Sequence, residues 1–176
     1  MPVDLLPVDG IDTAPNRMTL MQSTIDSVHN GWWRMHRTHS SKAKLVHGDI
    51  YQLPGDLGTF DIGVFGSILL HLREPWGALS EAAGRVRETI VVTDLVQDRG
   101  APLSSNIMRI SPLTRDEISN WWTIYPGAVV KMLERLGFPD ATTTEHKQKH
   151  HLGHRLEDEA VEMEMEMFTV VGRRAG

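Results

Sequence analysis

Histidine is the first residue type in this chain whose placement suggests chemistry. There are nine histidines, and four of them fall close together at His146, His150, His151 and His154. On a helix, His146, His150 and His154 would share one face, and imidazole is a common zinc ligand. The threonines Thr142 to Thr144 just ahead favour a strand instead, so an exposed polar segment is expected here and no metal centre. Ser67 invites comparison with a hydrolase nucleophile. The nucleophile elbow requires G-x-S-x-G, and the chain reads Val64-Phe65-Gly66-Ser67-Ile68-Leu69, so that chemistry is excluded. There is no cysteine, which removes thiol nucleophiles, thiolate metal sites and disulfides. Among the 15 glycines no two are separated by one residue, so a Gly-rich dinucleotide loop is absent from these residues. The pairs Trp32–Trp33 and Trp121–Trp122 lie in stretches that suit either a core or a substrate pocket. The same holds for His36 and Arg37, which follow the first pair. The acids Glu157, Asp158, Glu159, Glu162, Glu164 and Glu166 suit a solvated face, and Glu and Met alternate from 162 to 167 as in a strand with one apolar side.

Such residues need elements to hold them. The chain has 176 residues, 40% of them hydrophobic and 23% charged, enough for one domain with a real core. Lys and Arg number 18 against 23 Asp and Glu, a net charge of −5, which argues against a broad nucleic-acid footprint. The apolar stretch Ile62 to Leu70 is well short of the about 20 residues of a membrane span. The first residues, MPVDLLPVDG, carry acids where a signal peptide carries Lys or Arg. Together with the missing cysteines, this leads us to expect a soluble cytoplasmic protein.

Val3 to Leu6 suits the end of a strand. Leu20, Ile25, Val28, Trp32 and Met35 recur every three or four residues and predict a helix over 19–39. Ala43 to Ile50 reads as a strand running into a turn, and Tyr51 to Gly58 as a loop. Phe60 to Gly66 and Thr89 to Val96 are apolar runs without alternation, the pattern of strands buried on both faces of a parallel sheet. Pro75 to Val86 and Pro126 to Leu136 predict helices, the second closed by Gly137. Gln97 to Leu113 reads as a loop. Phe138 to Glu145 and Met163 to Gly172 read as late strands joined by the polar segment Lys147 to Glu159. The alternation implies an α/β fold with a mostly parallel sheet and an antiparallel addition at one edge.

The order GDIYQLP (48–54), FDIGVFGSILLHLREP (60–75), TIVVTDLV (89–96), a Trp-Trp pair and PGAVVKMLERLGF (126–138) resembles the class I S-adenosylmethionine-dependent methyltransferases. NGWWRMHR (30–37) is similar to the same region in bacterial methyltransferase-domain proteins. The resemblance runs from about Val3 to Arg174 and implies a Rossmann-like sheet forming a single domain. It implies S-adenosylmethionine as cofactor and methyl transfer to an O, N or C acceptor, most simply a small molecule. Ligands of such folds sit beyond the carboxyl ends of the parallel strands.

By resemblance, the carboxylate of Asp49 accepts a hydrogen bond from the exocyclic amine of adenine, and the backbone N–H of Ile50 meets a ring nitrogen. Asp4 corresponds to the acid that binds the ribose hydroxyls. Gly66 and Ser67 border the methionine part of the cofactor. His71, one turn past Ser67, is the candidate general base for an acceptor that must lose a proton. The resemblance begins near the family's second strand. It therefore implies an N-terminally incomplete domain, without the first strand, the Gly-rich loop or the first helix. Two expectations follow. Methyl transfer is impaired in these residues, or the sheet serves as a non-catalytic interaction and assembly module. In either case Phe60 to Gly66 is left at an uncovered edge through which chains can self-associate.

Overall fold

The computed structural model describes residues 14–97, 99–111, 120–152 and 161–175. The chain divides into two compact units, 1–47 and 48–176. Within the first unit, α1 spans Ala14–Thr38, starting five residues before the periodicity predicted. Near its end the Trp32 and Trp33 rings meet edge to face at 4.6 Å, and His36 lies 4.7 Å from Trp32. Trp33 is 46% exposed, so this pair is not a closed core. Val3 to Leu6 and Asp4 lie outside the described residues.

The second unit carries a four-stranded sheet in the order β1-β2-β6-β5. Its strands are β1 (Phe60–Gly66), β2 (Val86–Leu95), β5 (Asp140–Leu152) and β6 (Val161–Arg173). β1 pairs parallel with β2, while β2–β6 and β6–β5 are antiparallel. Helices α2 (Pro75–Ala83) and α3 (Pro126–Arg135) follow β1 and the small hairpin β3–β4 (Met108–Ile110, Trp122–Ile124). The α/β, Rossmann-like sheet expected from the sequence is present.

Local chemistry sets the helix ends. Glu74 caps α2 by accepting the Gly77 N–H at 2.7 Å, with Pro75 at the first helical position. After α3, Gly137 takes φ 90°, and Phe138 N–H donates to Leu133 O at 2.9 Å while Gly137 N–H donates to Glu134 O at 3.3 Å. This is the Schellman closure that the glycine signalled. α3 starts tightly against a loop. Gly127 N–H donates to Leu103 O at 3.0 Å, and a Cβ at Gly127 would sit 2.7 Å from Ser105 O and closer still to the Ser104 carbonyl. Backbone cannot swing aside as a side chain can. Gly127→Ala is expected to lower stability by about 1–3 kcal/mol, read as a shift in the urea midpoint.

The core lies on one face of the sheet. Ile90 and Val92 of β2 and Phe168 and Val170 of β6 bury there against Leu79, Ala83, Val129 and Leu133 of the two helices. On the opposite face the alternate residues Ile62 and Val64 are 59% and 70% exposed.

Four sequence expectations are corrected. Ala43 to Ile50 is not a strand; only an isolated bridge, Asp49 to Gln52, occurs there. Its apolar pattern finds no neighbouring ladder among the described residues, and a strand exists only by pairing. Gln97 to Leu113 is not wholly loop, because Met108–Ile110 pairs with Trp122–Ile124. Lys147 to Leu152 continues β5, held by cross-strand pairing such as Lys147 Nζ to Glu164 Oε1 at 2.6 Å. Finally, Phe60 to Gly66 is a strand but is not buried on both faces: Phe65 points into the core, while Ile62 and Val64 point to the opposite face and are exposed.

Candidate functional site

The two parallel strands β1 and β2 end side by side, and the candidate residues gather at that end. Ser67 N–H donates to Thr93 O at 2.8 Å, extending the ladder by one residue. Ser67 then turns with φ 49°, a left-handed conformation that costs a non-glycine residue energy and is found at ligand sites. Gly66 beside it has open space where a Cβ would point. The chain continues into a 3-10 turn, Leu69–His71, whose two leucines are buried and whose histidine is exposed. Trp121 N–H donates to Leu70 O at 2.8 Å, and Trp122 Nε1–H to Leu72 O at 3.0 Å, so the β4 segment ties this turn in place.

Asp49 opens the loop before β1. Its Oδ1 accepts the Tyr51 N–H at 2.9 Å, its carbonyl accepts the Gln52 N–H at 3.0 Å, and the residue is exposed. Two bonds fasten the loop to the sheet unit: Glu74 N–H to the Tyr51 hydroxyl at 3.1 Å, and Arg85 Nη2 to Leu53 O at 3.0 Å. Ile50 is half-buried and lines an apolar groove of 290 Å³ along the free edge of β1, together with Phe60, Val64, Gly66 and Ile68. The structure therefore brings Ile50 and Gly66 onto one groove, with Ser67 next to Gly66 and Asp49 next to Ile50 in the chain. Asp4 cannot be placed with them.

The site also holds an acid that the sequence reading passed over. Asp94 is 2% exposed at the end of β2. Its Oδ1 accepts the Leu95 N–H at 2.9 Å, and its Oδ2 has no hydrogen-bond partner among the described residues. Burial pushes its pKa up to about 6, against the favourable pull of the Leu95 and Leu70 N–H groups and of nearby His71. The signal was legible as a lone acid in an otherwise apolar strand, TIVVTDLV. His146 and His150, opposite Met167 and Met163 in the β5–β6 ladder, belong to a strand as the threonines implied. Among the described residues no three His, Asp or Glu groups converge as a metal site, and no helix is long and apolar enough to cross a membrane.

No protein-family model matches the chain, and no curated protein matches it. Solved structures do. The N-terminal domain of EvdMO1, crystallised with S-adenosylhomocysteine, superposes with a TM-score of 0.51 at 22% identity, over 81% of this chain and 58% of that one. A protein described as a methyltransferase from Bacillus halodurans C-125 gives 0.57 at 13% identity, over 81% and 77%. An O-methyltransferase family protein from Burkholderia thailandensis gives 0.53 at 13% identity, over 84% and 41%. The chain thus spans less than two thirds of the EvdMO1 domain it resembles. At these identities the likeness is one of fold, and the fold is that of the class I methyltransferases.

Proposed function

We propose that this fold serves methyl transfer from S-adenosylmethionine to an O, N or C nucleophile of an acceptor, and that these 176 residues hold the cofactor weakly. The observation that carries the reading is the left-handed turn at Ser67 after an open Gly66, at the common end of two parallel strands and beside the Ile50 groove. When bound, the cofactor supplies an electrophilic methyl group on a sulfonium. The described residues fit its adenine end. Asp49 uses Oδ1 for its own turn, which leaves Oδ2 to accept from an exocyclic amine, while Ile50 offers an apolar wall and a backbone N–H. Gly66 gives the backbone access that a methionine chain needs. His71 accepts a proton only where the acceptor must lose one. The weakness follows from the G-x-G pattern that these residues lack.

Asp49→Ala tests the adenine assignment. Loss of one hydrogen bond is worth on the order of 1 kcal/mol, so the dissociation constant for S-adenosylhomocysteine should rise about fivefold to tenfold. An unchanged constant removes Asp49 from the site.

A second reading, an assembly module without catalysis, is favoured by one observation. The β1 edge presents Phe60, Ile62 and Val64 at 45%, 59% and 70% exposure, and such an edge accepts another chain.

A further inference from the structure

The first compact unit holds a cluster that the cofactor reading leaves unused. From Ser27 to Gly48 the chain has no Asp or Glu, while Arg34, Arg37, Lys42 and Lys44 give that stretch a charge of +4 in a chain of −5. All four cations are exposed, and none has an ion-pair partner among the described residues. Elsewhere Arg87, Arg99, Lys131 and Lys147 are each paired with an acid. Like charges left together repel one another, and a polyanion relieves that repulsion.

The stretch has a defined shape. α1 ends at Thr38, and Ser40 takes φ 47° as the chain turns back. His36 Nε2–H donates to Ala43 O at 3.0 Å, and the His47 ring meets His29 edge to face at 4.8 Å. His29 lies two helical turns before His36, so residues 43–47 run back along α1, with Lys42 at the start of that run and Lys44 within it. Aromatic rings sit among the charges. Trp32 lies 4.7 Å from His36 with the rings tilted by 31°, and Trp33 meets Trp32 edge to face while staying 46% exposed. Trp33 is next to Arg34 and one turn before Arg37. A helix that lies on a bilayer sorts apolar and charged residues onto opposite faces. Here ring and cations are interleaved, as in proteins that stack the bases of a single strand while cations track its phosphates.

We propose that this surface binds single-stranded nucleic acid without sequence preference, with Trp33 stacking on a base and Arg34, Arg37, Lys42 and Lys44 meeting backbone phosphates. The acidic remainder of the chain confines the footprint to this stretch. The proposal does not depend on methyl transfer.

The test titrates the full chain, without cofactor, into a fluorescein-labelled thymidylate strand of twelve nucleotides, followed by anisotropy. Four phosphate contacts predict a slope of log affinity against log salt of about −3. Lys42→Gln combined with Lys44→Gln should about halve that slope. A strand of the same length made of abasic sites should bind about tenfold more weakly, the loss of one stacked base. Trp33→Ala should cost the same factor on the thymidylate strand and nothing on the abasic one, and Trp33→Phe should keep most of the affinity. Equal affinity for the two strands, a salt slope near zero, or no saturable binding at low salt would overturn the proposal. So would binding to phosphatidylserine vesicles without binding to the strand, which would assign the surface to a bilayer. Should a variant fail to fold, the comparison of the two strands on the parent chain decides.

Discussion

Val64→Lys is expected to convert a self-associating chain into a monomer of 19.8 kDa. In a parallel ladder, alternate residues direct both N–H and C=O to the neighbouring strand. Ser67 points to Thr93, so Phe65 and Gly63 do likewise with β2, and Ile62, Val64 and Gly66 direct theirs outward. No strand borders that edge among the described residues. Natural edges discourage pairing with lysine, proline or bulges near their centre, whereas this one carries Ile62 and Val64, 59% and 70% exposed. Light scattering after size exclusion should give the parent chain at least twice the monomer mass. A lysine at 64 puts a charge where the second edge must dock. A parent chain that runs as a monodisperse monomer at high micromolar concentration contradicts the open-edge reading.

The second large effect belongs to Asp94. A carboxyl with a pKa of 3.8 unfolded and about 6 folded binds its proton more tightly in the native state. Well below pH 3.8 both states are protonated and the group contributes nothing. As pH rises through the window to 6, the unfolded state ionises first, and stability falls; above 6 the penalty is constant. The shift corresponds to about 3 kcal/mol. Asn cannot ionise, so the stability of Asp94→Asn relative to the parent should grow by about 2.4 kcal/mol between pH 4 and pH 7.5. Any fixed cost of burying the amide is the same at every pH and drops out of that difference. Urea unfolding at four pH values, in the Val64→Lys background, measures it. A difference flat with pH would show that Asp94 titrates normally.

These two sites also show what the sequence made legible. The β1 edge was readable because a resemblance placed its missing neighbour, whereas the lack of alternation in FDIGVFG misled by implying burial on both faces. The helices α2 and α3 were readable from Pro75, Pro126, the apolar stripe through Val129 and Leu133, and Gly137. Ala43 to Ile50 misled because its apolar content says nothing about whether a partner strand lies alongside. β3 escaped because three residues give no period. The extension of β5 escaped because Lys147 to Leu152 is polar, and its pairing depends on glutamates and methionines some 15 residues away. Of the site, Gly66 and Ser67 were found at the strand end where the structure puts them. Asp94 was not singled out, although a lone acid in the apolar run TIVVTDLV marks it.

Titration of the 176-residue chain with S-adenosylhomocysteine tests the central claim most directly. An adenine site of Asp49 and Ile50 without a Gly-rich loop should bind with a dissociation constant of about 1 mM, or about −4 kcal/mol. Saturable binding in that range, weakened by Asp49→Ala, is the predicted result. Micromolar affinity, or no saturable binding at several times that concentration, would contradict it.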